Sequence, residues 1–337
     1  MSETRERVAK RRLGRTGLEV SEVGYGSWGI GGGQWRGGTD EEALEALHRA
    51  LDLGVDFVDT ALAYGDGHSE ELVGRVLRER PGEAAVATKV PPLNRRWPGD
   101  PRDSVEDVFP KGYVIDSTEQ SLRNLGVDAI DVQQLHVWHD AWVGGSWQEA
   151  AAELKAAGKV RFFGVSIGLP QTALEVVRSG AVDTVQVVYN IVTADADEAL
   201  FALCQQNDVG VIARVPFDEG ALTGAVRPDT EFEPGDWRND YFTPEVKVDR
   251  WGRVEGIVRD LGIELDELPA IALRFCLTRS EVATVIPGMR RVRHVEANVA
   301  AAEQGPLDQQ QREVLDGYRL PLVVHEPDPE PEPELEP

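Results

Sequence analysis

A chain of 337 residues, 41% hydrophobic and 28% charged, is long enough to bury a sizeable core as one large domain or two medium ones. Its net charge of −24, still −18 once the six acids of the C-terminal "HEPDPEPEPELEP" are removed, argues against a wide surface for phosphate backbones, so no nucleic-acid partner is expected. Two cysteines in apolar helical contexts, Cys204 and Cys276, no apolar leader and no run of about 18 apolar residues point to a cytoplasmic protein that does not enter a membrane.

In chain order, the basic "MSETRERVAKRR" leads into "RRLGRTGLEVS", which reads as two short strands around "RTG", a hairpin suited to plugging the floor of a barrel. Next comes "VGYGSWGIGGG", residues 23–33, with Gly24, Gly26 and Gly29 in G-x-G-x-x-G spacing. A dinucleotide-binding Rossmann turn needs a helix directly after its glycines, so that pyrophosphate meets the helix N-terminus. Here more glycine follows and the next helical pattern starts only near Thr39, so the motif is rejected.

From Ser21 onward, the apolar runs "SEVGYGS", "VDFVDT", "AAVATKV", "AIDVQQLH", "VRFFGVSI", "TVQVVYN", "VGVIARV" and "VATVIPG" alternate with amphipathic stretches such as "TDEEALEALHRALDLG" and "HSEELVGRVLRE". Val- and Ile-rich runs without polar alternation fit parallel strands covered on both faces. Eight such strand–helix units predict an α/β fold, a (β/α)8 TIM barrel, with the N-terminal hairpin beneath it. An open doubly wound sheet is the alternative. The barrel is expected to occupy residues 1–324 as one domain, and the Pro–acid alternation of 325–337 predicts a disordered tail.

A barrel of this kind carries its chemistry at the C-terminal ends of its strands. There the sequence puts Asp59, Lys89, His136 and Ser166 at the ends of the second to fifth strands, Gln186 and Asn190 on the sixth, and Tyr64 just after the second. Singly, each has an ordinary explanation: a helix cap, a surface lysine, a loop-packing phenol, a satisfied core histidine. Four at successive strand ends are harder to explain that way. Lys89, held by Asp59, would set a positive charge beside the Tyr64 phenol, whose ordinary pKa is about 10, and ease proton transfer, while His136 could orient a carbonyl oxygen. The pair His136 and His139 lacks further metal ligands, so no metal is expected.

At these residues the sequence resembles the aldo-keto reductase family, through "GVDFVDTALAYGDGHSEELVGRVL", "ATKV", "QLHVW", "GKVRFFGVS", "QVVYN" and "IPGMRRVRHVEANVAA". The resemblance spans nearly the whole chain apart from the tail. It implies that Asp59, Tyr64, Lys89 and His136 form a catalytic tetrad in an NADPH-dependent oxidoreductase that reduces an aldehyde or ketone by hydride transfer, with Tyr64 as general acid. It also implies cofactor contacts from Gly26, Ser27, Trp28, Ser166, Gln186, Arg214, Gly288, Arg290, His294 and Asn298, with Arg293 a further candidate. The chain departs from the family at several positions: Ile167 replaces the usual Asn after Ser166, Gly288 and His294 stand where many relatives carry basic residues for the 2′-phosphate, Ala297 where an acid often contacts adenine, and Arg214 falls where an aromatic residue stacks on the nicotinamide. A planar guanidinium also stacks.

Trp28, Trp97, Trp138 and Trp237 are expected to wall a pocket for a small carbonyl substrate. Monomer and homo-oligomer both stay open. So do two other functions: an NADPH-binding regulatory subunit resembling the channel β subunits of the family, and a lyase or epimerase using Lys89 as a Schiff base.

Overall fold

The apolar runs become short strands because their Val, Ile and Phe side chains can be buried on both faces. In the computed structural model, which describes residues 8–33, 35–194 and 199–320, β1 (Lys10–Arg12) and β2 (Glu19–Ser21) pair antiparallel, with Lys10 opposite Ser21. The strands β3 (Tyr25–Gly26), β4 (Phe57–Asp59), β5 (Ala85–Val90), β6 (Ile130–Leu135), β7 (Val160–Ile167), β8 (Thr184–Val188), β9 (Gly210–Arg214) and β10 (Val282–Ile286) follow in one parallel sheet in chain order. Parallel bridges Val23–Val285 and Gly26–Gly288 bring the last strand back to the first and close a (β/α)8 barrel.

Closure explains the glycines that imitate a nucleotide loop. A Cβ on Gly26 would lie 2.6 Å from the Ile286 carbonyl oxygen, and one on Gly24 would lie 2.9 Å from Thr284 Oγ1 and 3.1 Å from Phe57. Only glycine lets β3 approach β10 this closely.

The helices outside the barrel form where apolar positions recur at helical spacing. Helix Asp40–Asp52 is capped by Thr39, which accepts from the Glu42 N–H, carries three acids in its first turn and Arg49 in its last, and buries Ala43, Ala46, Leu47, Ala50 and Leu51. Among the described residues, two helices of two or more turns lie outside the anticipated alternation, Pro244–Leu261, inserted between β9 and β10, and Gln309–Asp316, along with the single turns Val105–Val108 and Arg238–Tyr241. Helix Pro244–Leu261 buries only Val254, Gly256 and Ile257 in its 18 residues, so its apolar stripe was too thin to stand out among its charges.

The hairpin closes the floor. Leu13 and Val20 pack with Phe57, Ala87, Val132, Ile212, Ala283 and Ile286 in a small apolar cluster apart from the main core. Arg11 stitches it in place, donating to the carbonyls of Leu277 at 2.8 Å, Val282 at 2.9 Å and Arg279 at 3.1 Å and pairing with Glu22. Among the described residues no helix is long and apolar enough to cross a membrane. The expected tail, 325–337, lies outside the described residues.

Candidate active site

With the floor plugged, chemistry is left to the opposite mouth. β4 and β5 are adjacent and parallel, so Asp59 and Lys89 point into the same interior, where both are buried. Lys89 Nζ donates to Asp59 Oδ1, to the Thr60 carbonyl at 2.9 Å and to the Tyr64 hydroxyl at 3.4 Å. The Tyr64 and His136 rings meet edge to face with centroids 5.5 Å apart. The structure thus brings Asp59, Tyr64, Lys89 and His136 to one place.

Burial raises the Tyr64 phenol, and Lys89 and then Arg214 oppose that rise while Asp59 adds to it. The sequence pointed to an eased phenol; in the folded chain desolvation outweighs the cation and Tyr64 stays a neutral acid. Burial, then Lys89 and Arg214, hold the His136 imidazole well below its ordinary range, so it is uncharged, and its Nδ1 is buried without a partner.

Beside this group, β7 and β8 set Ser166 directly opposite Gln186. Gln186 Nε2 donates to Asp59 Oδ2 at 2.7 Å, and its Oε1 is buried without a partner. Arg214 ends β9; its Nη2 donates to the Ile167 carbonyl at 3.0 Å, and its Nε has no partner. Burial lowers its pKa, while Tyr64, Glu219 and Asp59 favour the cation.

Gly26 and Ser27 donate their backbone N–H groups to the carbonyls of Pro287 at 3.0 Å and Asp59 at 3.0 Å, so neither has an N–H left for a ligand. Gly288 is exposed, and Asn298 is buried with an unpartnered Nδ2. Helix Val292–Ala302 begins with no acid in its first turn and no side-chain cap, while Arg290, Arg291, Arg293 and His294 crowd that end. Arg291 is paired with Glu42.

Three of the four predicted pocket tryptophans reach the mouth. Trp28 lies over Tyr64 with ring centroids 6.0 Å apart and 24° between planes, Trp237 is 5.0 Å from Trp28, and Trp97, 48% exposed, meets His136 edge-on at 4.6 Å. Trp138 does not join them. It is 4% exposed, packs against Trp142 and Trp147, and donates to Asp140.

Sequence reasoning missed Trp35, 5.9 Å from Trp28, and Arg238, which lies over Trp35 and is held by Asp236. They come from irregular segments whose meeting has no local signature. Gln134 was also missed, although it lies near the end of β6, two positions before His136, which follows that strand directly. His139 is turned to the backbone N–H of Ala141. No cluster of three metal-ligand side chains occurs among the described residues.

A nicotinamide dinucleotide fits this donor set. The free Gln186 Oε1 and the adjacent Ser166 suit a carboxamide, and the uncapped cationic helix start suits a phosphate.

Residues 22–319 match the family model described as "Aldo/keto reductase family". An NADH-specific methylglyoxal reductase of Escherichia coli (strain K12) is 28% identical over 317 residues, covering 87% of this chain and 93% of that protein. Among solved structures, the aldo-keto reductase AKR11C1 from Bacillus halodurans in its holo form aligns at 29% identity with a TM-score of 0.72, over 92% of this chain and 96% of that one. An aldo-keto reductase from Klebsiella pneumoniae in complex with NADPH shares the fold at 24% identity and a TM-score of 0.67, over 92% of this chain and 94% of that one. The chain belongs to the aldo/keto reductase family of oxidoreductases.

Proposed function

We propose that this protein reduces an aldehyde or ketone to an alcohol with NADPH, with Tyr64 as proton donor. The observation that carries the reading is the buried chain from Asp59 through Lys89 to the neutral Tyr64 hydroxyl, 3.4 Å from the ammonium. When bound, the reduced nicotinamide supplies a hydride to the carbonyl carbon. Tyr64 gives its proton to the oxygen, and Lys89 stabilises the phenolate left behind. His136, uncharged, orients the same oxygen by hydrogen bonding without competing as an acid. Ser166 and Gln186 would hold the carboxamide, and Arg214 would lie against the ring.

The preference for NADPH over NADH rests on this chain's own cations: Arg290 and Arg293 gather at the start of helix Val292–Ala302, beside His294, whose imidazole burial and the neighbouring arginines hold below its ordinary range. The aromatic wall of Trp28, Trp97 and Trp237 would take the body of a small carbonyl compound. A Schiff-base role for Lys89 needs a neutral, accessible amine, whereas Lys89 is fully buried and its donors already serve Asp59, Thr60 and Tyr64.

A panel of carbonyl compounds assayed by NADPH oxidation tests the reading. Tyr64→Phe is expected to lower turnover by roughly 10²-fold or more with NADPH affinity nearly unchanged, because it deletes the proton and not a binding contact. Near-normal turnover in that variant would remove Tyr64 from the mechanism.

A further inference from the structure

Asp59 has a second side that the proton path does not use. Its Oδ1 faces Lys89, whereas its Oδ2 accepts from Gln186 Nε2 at 2.7 Å and from Gln134 Nε2 at 3.4 Å. Gln186 Nε2 also donates to Gln134 Oε1 at 3.4 Å. All three side chains are within 2% of complete burial, so water offers no alternative partner.

A carboxylate only accepts hydrogen bonds, whereas an amide has one accepting and one donating end. With Asp59 beneath it, Gln186 must turn its amino end inward. Its carbonyl oxygen then faces away from Asp59, and Oε1 is the atom left buried without a partner. Ile167, beside Ser166, brings no polar group that could replace it.

We infer that Asp59 is a positioning residue for the cofactor amide: by binding the amino end of Gln186, with Gln134 as a second acceptor, it makes Gln186 Oε1 an obligate acceptor for the carboxamide NH2. This rests on the placement of the nicotinamide proposed above. The carboxylate that anchors Lys89 therefore also sets which end of the carboxamide lies against β8, and with it the rotation of that group. Proton path and cofactor orientation share one residue.

The test is binding, read from quenching of intrinsic tryptophan fluorescence without substrate. The probes are NADPH and its reduced 3-acetylpyridine analogue, in which a methyl group replaces the NH2. Wild type is expected to bind NADPH about fivefold to tenfold more tightly than the analogue, the value of one buried hydrogen bond. Gln186→Leu sets the reference for lost discrimination. Asp59→Asn can accept or donate, frees Gln186 to turn over and offer N–H to the acetyl oxygen, and is expected to bring the two affinities within about twofold. Where Asp59→Asn fails to fold because Lys89 loses its counter-charge, the double variant Asp59→Asn with Lys89→Met, neutral in the core, is measured instead. Discrimination in wild type that persists in whichever of these variants is measured overturns the inference while leaving the cofactor placement standing. No discrimination in wild type overturns the placement itself.

Discussion

Arg214 sits where a neutral ring would be the simpler choice. Its guanidinium is tied to the Ile167 carbonyl and faces Tyr64, Glu219 and Asp59. The neighbouring Asp218 is already held by Tyr241 at 2.7 Å and Arg250 at 2.6 Å. An oxidised nicotinamide is cationic and a reduced one neutral, so in the placement proposed above a permanent charge beside the ring would disfavour NADP+ by on the order of 1 kcal/mol. Arg214→Tyr is expected to tighten NADP+ relative to NADPH by a few-fold to about tenfold, measured by titrating both forms; an unchanged ratio would give Arg214 a purely structural role. Glu219 lies in the same loop, where Val215, Asp218 and Glu219 all adopt positive φ, a costly run for residues with side chains. Burial pushes its carboxyl from 4.5 up to about 8, against the pull of Arg214. The folded state therefore holds this proton more tightly than the unfolded chain. The resulting stability is complete below about pH 4.5 and is lost as pH rises through about 8. Glu219→Gln cannot ionise, so its melting temperature should gain on wild type between pH 5 and pH 8, by up to about 1.4 kcal/mol of stability per pH unit. Parallel melting curves across that range would show that the carboxyl ionises freely in the fold.

The hairpin and the mouth do opposite work on one barrel. At the floor, β1 delivers Arg11 to the carbonyl end of helix Leu268–Leu277, where a cation meets both the unsatisfied carbonyls and the helix dipole. Arg11→Ala should cost roughly 2–4 kcal/mol in denaturant unfolding, from several hydrogen bonds to a charged group, with turnover unchanged because the floor is remote from Tyr64. A loss of turnover without a loss of stability would contradict that separation. At the mouth, the loop after β3 and the segment after β9 meet through Trp28, Trp237 and Asp236, which accepts from the Arg36 N–H at 3.3 Å. The hairpin was readable because "RTG" and its flanking residues are local turn chemistry. The meeting at the mouth was not, because it joins positions far apart in the chain with no periodicity in either.

Over the whole molecule, the charge of −24 is spread well beyond the C-terminal acids. We propose that residues 325–337 add nothing to folding or reduction, since alternating Pro and acid offer no apolar area to bury. Removing them is expected to leave melting temperature and turnover equal to those of the full chain. A drop in either would mean that the segment docks on the barrel.

The sequence by itself determined the run of eight strand–helix units, because strand-like and helix-like runs are local, and favoured a barrel over an open doubly wound sheet; closure itself is made by the bridges from β10 back to β3. The sequence also marked Asp59, Tyr64, Lys89 and His136, because barrel geometry sends strand ends to a common mouth. Direction and partnership within that mouth came only from the tertiary structure. Whether Tyr64 is a phenol or a phenolate depends on how much water the surrounding chain removes, which no neighbour in sequence specifies. The same holds for Trp138: the sequence puts it in the pocket wall, yet Trp142 and Trp147 draw it into the core. The glycines of residues 23–33 show the difference most directly. Their spacing imitates a nucleotide turn, while the tight contact that requires Gly24 and Gly26 is made with β10, near the far end of the chain, and exists only once the barrel has closed.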